Sequence, residues 1–381
     1  MNAAAALEVP PPRETVRLSG PLALVAAIPV LLGFHPARSL VLLCVHGVRH
    51  RVGPALRIDL PIPADVPAAA TFLALQAARH ATAVMVICYS ADPDDFARGR
   101  PVLPHDDLMR SCLRELDDSG VPVLDAVLVR TGTVWSYLRG TAADGGKRLP
   151  AEDDPSLAHL RAAYVGAGRA VLGDRDEIAR TVAAPGDDTA AASDRAVVAA
   201  FERFGAGIAE LDYRGTVALG CEIAHARLTA AIDTHRRGTE RDEAVWGDLV
   251  ATLTVDLVRD AVISWCLERV GDFPLGLLVD LAHWVTDDFA VPVLSVLALV
   301  AYRSGDGALA NVALERALDI DPEYRLATLA RDFIVNGVHP TELDALIIDW
   351  ADHPGNPAAP LWLRRLEETN ALDDGPLGDD Q

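Results

Sequence analysis

The run Ala83–Tyr89, AVMVICY, is seven apolar residues long with no polar alternation. It is too short for a helix and rich in β-branched side chains, so it reads as a strand. A strand of that kind offers water neither face and must be covered on both sides, as in sheets sandwiched by helices. A second apolar strand is expected at Val123–Val129. Between the two, Asp106–Asp118 has an amphipathic helical pattern and stops at Gly120.

The flanking segments extend this plan. Ser19 reads as the cap of an apolar helix with Pro21 in its first turn, ending near Leu32. Gly33-Phe34-His35-Pro36 breaks that helix. Ser39–Val45 and Arg57–Leu60 are expected to form a hairpin across the polar stretch His46–Pro54, and Ala64–His80 a helix. After Val129, Thr131-Gly132 turns the chain into a last strand, Thr133–Leu138. The order is α-β-β-α-β-α-β-β. It predicts three central parallel strands with right-handed crossovers, antiparallel edges from the hairpins, and helices on both faces.

From about Leu157 the pattern turns helical. The division expected is a disordered N-terminus over 1–16, an α/β domain over 17–185, an all-helical domain over 190–350 and a flexible tail over 351–381. Ala184–Asp194 reads as a linker before a helix capped by Ser193 or Asp194. Further helices are expected at Thr216–His235, Thr239–Ser264, Leu275–Val285, Pro292–Arg303, Ala308–Asp319, Pro322–Asn336 and Thr341–Trp350. Within these, Val291–Tyr324 resembles one tetratricopeptide-type helix pair. Gly305-Asp306 stands at the turn, and Ala310 and Ala317 are the small residues that let the second helix approach the first. Leu294 replaces the usual Trp of that pattern. A single unit cannot bury its own face, so a plain antiparallel pair inside a bundle and a peptide-binding groove are both open.

Charge narrows the partners. Against 55 acidic residues the chain has 34 basic ones, a formal net charge of −21, and Lys147 is its only lysine. Such a surface repels phosphate backbones, so neither nucleic acid nor an anionic membrane is expected as a partner. The longest apolar run, Pro21–Phe34, is too short to span a bilayer, which takes about 20 residues. The opening MNAAAALEVPPPRE has no basic region and does not read as a signal peptide. Five scattered cysteines, without a C-x-x-C pair, suit reduced thiols and a cytoplasmic protein.

Catalytic signatures are few. There is no G-x-S-x-G and no H-E-x-x-H, and no Cys/His cluster has metal-ligand spacing, so neither a metal nor a cofactor is expected. Gly140–Lys147 resembles a phosphate loop only superficially: its first glycine is one place out and Arg148 stands where Ser or Thr would bind magnesium. Gly166-Ala167-Gly168 lacks the third glycine of a dinucleotide motif. His46 and His50 are spaced i,i+4, but on a hairpin that spacing does not converge on a metal, and Asp92-Pro93-Asp94-Asp95 reads as a solvated turn. Topology supplies the better candidate. In open α/β sheets ligands sit beyond the carboxyl ends of the parallel strands. Here that rim gathers His35, Arg38, Ser39, Asp59, Ser90, Asp92 and Arg130. His35 has the chemistry of a base, and Arg38 and Arg130 that of an anion clamp. The competing reading is that polar residues at strand ends simply meet water.

The chain resembles the bacterial, chiefly actinobacterial, family known as domain of unknown function 4192. The resemblance rests on Leu31-Leu32-Gly33-Phe34-His35-Pro36 followed by Ser39-Leu40-Val41. It continues through Arg57-Ile58-Asp59-Leu60-Pro61, Trp135-Ser136-Tyr137 and Arg259-Asp260 to Gly305-Asp306-Gly307 with Ala317-Leu318. It covers roughly residues 17–340. A cysteine-rich stretch often follows the Ser-Tyr-Leu segment in the family, whereas Arg139–Pro150 has none here. The resemblance implies no established activity. Two functions are therefore carried forward: a protein-interaction or regulatory module working through the C-terminal helices, with a homodimer also expected, and a small-molecule binder or enzyme using the sheet rim.

Overall fold

The computed structural model describes residues 20–47, 51–97, 100–138, 146–151, 154–166, 170–268, 273–338 and 342. They divide into two compact units, one running to Val171 and the other starting at Leu172.

The first unit contains α1 (Pro21–Leu32), β1 (Ser39–His46), β2 (Arg51–Asp59), α2 (Val66–His80), β3 (Ala83–Tyr89), β4 (Asp95–Ala97), β5 (Arg100–Val102), α3 (Asp106–Asp118), β6 (Val123–Arg130), β7 (Thr133–Ser136), β8 (Lys147–Arg148) and α4 (Pro155–Gly166). The main sheet is mixed, with strand order β2-β1-β3-β6-β7-β8, while β4 and β5 form a separate ribbon. All seven residues of β3 are buried, as are the first seven of β1. Their side chains alternate between two cores. Leu40, Leu42, Val84, Val86, Cys88 and Leu128 meet α2 and α3 on one face. Val41, Leu43, Met85, Ile87 and Val127 meet Val25 and Ile28 of α1 on the other. Helix α4 packs on the outside of α1.

The sheet differs from expectation in one respect. β2, β3 and β6 do run in the same direction, but β1 lies between β2 and β3 and is antiparallel to both. Only β3 and β6 are parallel neighbours. The whole hairpin pairs through its more apolar strand, which leaves β2 as the edge. That position explains how β2 carries Pro54, which has no N–H to donate to a ladder. β2 also reaches back to Arg51, into a stretch that reads as a turn, because its pairing with β1 continues past a bulge to His46. The crossovers have a second consequence. Both α2 and α3 lie on the same face, so no crevice opens between helices diverging to opposite sides. A site at this rim must be built by loops.

The second unit is helical: α5 (Arg175–Thr181), α6 (Asp187–Ile208), α7 (Tyr213–Arg237), α8 (Glu243–Leu253), α9 (Asp256–Glu268), α10 (Leu275–Trp284), α11 (Asp287–Arg303), α12 (Gly307–Ile320) and α13 (Arg325–Val335). Of the linker expected at Ala184–Asp194, only Ala184-Pro185-Gly186 lies outside a helix, and Asp187 onward is the start of α6. Asp187 and Asp188 occupy its first turn, where they complement the helix dipole, and the alanines favour helix. Ser193, expected as a cap, is inside the helix and fully buried. The single helix expected at Thr239–Ser264 is two, α8 and α9. At the break Thr252 and Thr254 donate to the carbonyls of Leu249 and Ala251 at 2.8 and 2.7 Å, competing with the helical bonds there. Ser19, His50, Gly140, Ala167-Gly168 and Thr341 lie outside the described residues, as do 343–350 and the tail.

Helix α11 is the hub of this unit. Eleven of its residues between Ala290 and Ala301 are buried, and it packs on α8, α9, α10, α12 and α13. α11 and α12 are thus a packed pair within a bundle. Close approach elsewhere depends on Gly247 of α8: a Cβ there would lie 2.6 Å from the Ala196 carbonyl oxygen of α6.

Two stability outcomes follow. Truncating Ile87, fully buried in the sheet, to Ala should cost about 2–5 kcal/mol in denaturant unfolding, through lost transfer energy and the cavity left behind. Gly247→Ala should destabilise by roughly 1–3 kcal/mol, because the obstructing atom is backbone and only moving α6 away from α8 relieves it.

Candidate functional site

The register of the sheet brings four strand ends to one rim. Ser39, which opens β1, pairs with Asp59 at the end of β2 and with Tyr89 at the end of β3. Tyr89 in turn pairs with Val129, next to Arg130, on β6. Around this crest lie all three non-glycine residues with positive φ among the described residues: Arg38 (φ 45°), His105 (φ 61°) and Thr131 (φ 48°). Thr131 has a local reason. With Gly132 (φ 72°) it forms the two-residue turn between β6 and β7, which needs both residues left-handed. Arg38 and His105 sit in no such turn. Arg38 is pinned by its carbonyl, which accepts from Leu60 N at 2.9 Å. His105 immediately precedes α3, and the Tyr137 hydroxyl donates to the carbonyl of the preceding Pro104 at 2.6 Å.

These two residues converge on Asp92. Arg38 reaches Asp92 Oδ1 at 3.1 Å, and His105 Nε2 lies 3.0 Å from Oδ2. The same Nε2 is 2.9 Å from Ser90 Oγ. A Ser-His-Asp relay uses the two ring nitrogens separately, one for each partner. Here one nitrogen serves both oxygens, so the array is a clamp that fixes the imidazole and leaves Nδ1 outside it. The Asp92 backbone is tied on both sides, its N–H donating to Ser90 Oγ at 3.1 Å and its carbonyl accepting from Arg130 at 2.9 Å. Arg130 also pairs with Asp94 at 3.0 Å and lies over the Trp135 ring at 4.9 Å.

Toward β2, Arg57 donates to Ser39 Oγ at 2.8 Å and to Asp59 Oδ1 at 2.6 Å, with Phe34 beneath its guanidinium. Ser39 is fully buried, and its hydroxyl donates to the Ala37 carbonyl at 2.8 Å. The structure therefore gives the sequence candidates unequal standing. Arg38, Ser90, Asp92 and Arg130 share one network. Ser39 and Asp59 join a neighbouring one, Ser39 as a buried brace. His35 is exposed and takes part in neither. Sequence reasoning missed His105, Arg57, Asp94 and Tyr137. The one available signal for His105 was its place just before a predicted helix, between Pro104 and Asp106-Asp107.

A family model described as Domain of unknown function (DUF4192) matches residues 21–341. The chain belongs to this family. No curated protein and no solved structure matches it. In this DUF4192 chain several motif residues that carry the resemblance shape the rim: Gly33 and Phe34 in the turn before β1, Arg57 and Asp59 on β2, and Trp135 and Tyr137 behind Arg130 and His105. The motif residue Arg259 plays a different part. It is buried in α9, where it binds Asp256, Asp260 and the Tyr324 hydroxyl and so ties α9 to the segment leading into α13.

Burial disfavours the thiolate form of the cysteines beneath this face of the sheet. Desolvation pushes Cys88 and Cys112 each up to about 12, far from the thiolate form at neutral pH. Among the described residues no group of three or more His, Cys, Asp or Glu is placed to hold a metal ion, and no helix is long and apolar enough to cross a membrane.

Asp92 is the one rim carboxylate with a resolved shift. Partial burial pushes it up, but the Arg38 charge, the Ser90 hydrogen bond and His105 together outweigh that and hold it below the usual carboxylate range. A carboxyl depressed in the folded state stabilises the fold above its unfolded pKa, and that contribution is lost as pH falls through the folded value. The clamp is therefore closed at neutral pH. In a ¹³C titration the Asp92 carboxyl should have its midpoint below that of an ordinary aspartate, and Arg38→Ala should move it upward.

Proposed function

We propose that this chain binds a small polar molecule at the rim of its α/β sheet. The observation that carries the reading is the convergence of Arg38 and His105, both in left-handed backbone, on the two oxygens of one half-buried carboxylate. Arg38 is 69% exposed and Asp92 36%, so the meeting point faces solvent. Behind them Ser90, only 5% exposed, and Arg130, stacked on Trp135, hold the loop in one shape. Such a prepared polar array on a rigid sheet is where binding residues are placed in α/β proteins. Buried, free Cys44, Cys88 and Cys112 support action in the cytoplasm.

The other reading is a protein-interaction module working through the C-terminal helices. A peptide groove between tetratricopeptide-like helices needs an open first-helix face. α11 is buried over most of its length, so that pair gives the reading little support.

A thermal-shift panel of small polar metabolites tests the proposal. A compound at about 100 times its Kd adds about 2.7 kcal/mol, a shift of several degrees. The shift should disappear in Arg38→Ala and shrink in His105→Asn. A shift that survives both substitutions overturns the reading.

A further inference from the structure

We propose that the rim takes an anionic group, a carboxylate or a phosphate, in the place that the Asp92 side chain now fills; this rests on the rim being a ligand site. The two donors are already set for such a group. Arg38 and His105 take different oxygens of the Asp92 carboxylate, at 3.1 and 3.0 Å, which is how two donors share one planar or tetrahedral oxyanion. Ser90 Oγ, at the floor, fixes the imidazole from below at 2.9 Å.

Asp92 is built to leave without unmaking the loop. Its N–H is held by Ser90 and its carbonyl by Arg130, so the backbone is anchored independently of the carboxylate. The carboxylate itself is held only by the exposed Arg38, the rim histidine and Ser90. Rotation about the Asp92 side-chain bonds frees Arg38 and His105 together, while Arg130 keeps its own partner in Asp94. An entering anion replaces one carboxylate by another acceptor of the same sign. Asp92 is then an internal competitor that lowers affinity for weak anions and reserves the site for ligands with further contacts.

The experiment is calorimetric titration, at fixed ionic strength, of inorganic phosphate and of succinate into the full chain, into Asp92→Asn and into Asp92→Asn combined with Arg38→Ala. Asparagine keeps the size of Asp92 but removes its charge and turns one of its two acceptor oxygens into a donor, so it cannot hold Arg38 and His105 together. Asp92→Asn should bind one of the two anions roughly tenfold more tightly than the unaltered chain, as expected for freeing one charge-assisted contact, and which anion gains identifies the source of the group. The double substitution should return affinity to the unaltered level. If neither anion gains in Asp92→Asn, or if the gain survives loss of Arg38, the proposal is overturned. The rim reading fails separately, when a panel compound still stabilises both Arg38→Ala and His105→Asn.

Discussion

Everything in the α/β unit depends on strands that have no wet face. With β3 and nearly all of β1 buried, the sheet is stable only when α2 and α3 seal one side and α1 the other. Transfer of apolar area from water drives that sealing and is indifferent to direction. Its structural result is directional, however. Once both faces are closed, polar chemistry has nowhere to sit except at the ends of the strands. The rim network of Arg38, Asp92, His105 and Arg130 is the polar remainder of an otherwise apolar sandwich.

That logic explains what was legible in the sequence. The run Ala83–Tyr89 announced its own burial, and with it the sandwich. The amphipathic stripe of α3 and the left-handed stop at Gly33 are similarly local signals. Ser90, Asp92 and Arg130 were found because they follow strands, and Arg38 because it precedes one. The position of β1 inside the sheet was not legible, since pairing partners depend on which edge of a hairpin is the more apolar. His105 was not legible either. Its role comes from a 15-residue-distant contact with Ser90, across a loop whose path no periodicity encodes.

The helical unit shows the opposite balance. Its helices follow their apolar periodicity, but composition misled at the joints. Ala184–Asp194 has the Pro, Gly and Asp of a linker, yet its aspartates act as first-turn charges and its alanines as helix formers in α6. The tetratricopeptide resemblance left a plain packed pair and an open groove both possible for a related reason. Small residues at helix contacts report close packing, and close packing is as common at the centre of a bundle as along a solenoid. Whether a face is left open depends on what else packs against it, and here four further helices close over α11.

The balance of energies at the rim shows that its ion pair does not account for its backbone geometry. A non-glycine residue held in left-handed backbone costs on the order of 1–3 kcal/mol, although histidine is among the side chains that tolerate it better. An exposed ion pair such as Arg38–Asp92 returns about 0–1 kcal/mol. The pair therefore does not offset the strain at Arg38, and the surrounding anchors, Leu60 N on one side and Tyr137 on the other, hold the two turns in place at their own expense. The charges follow the same pattern. In a chain of net charge −21, three arginines at this rim each face one carboxylate: Arg38 with Asp92, Arg57 with Asp59 and Arg130 with Asp94. The long-range field opposes any anion, but at physiological salt it is screened beyond about 8 Å. Inside that distance the decisive quantity is which arginine can exchange its partner most cheaply. Asp94 is about as solvent-shielded as Arg130, and Arg57 is half-buried and held by its contacts with Ser39 and Phe34. Arg38 alone of the three combines a mostly exposed guanidinium with a partner whose backbone is fastened elsewhere, which is why the proposed exchange is placed there.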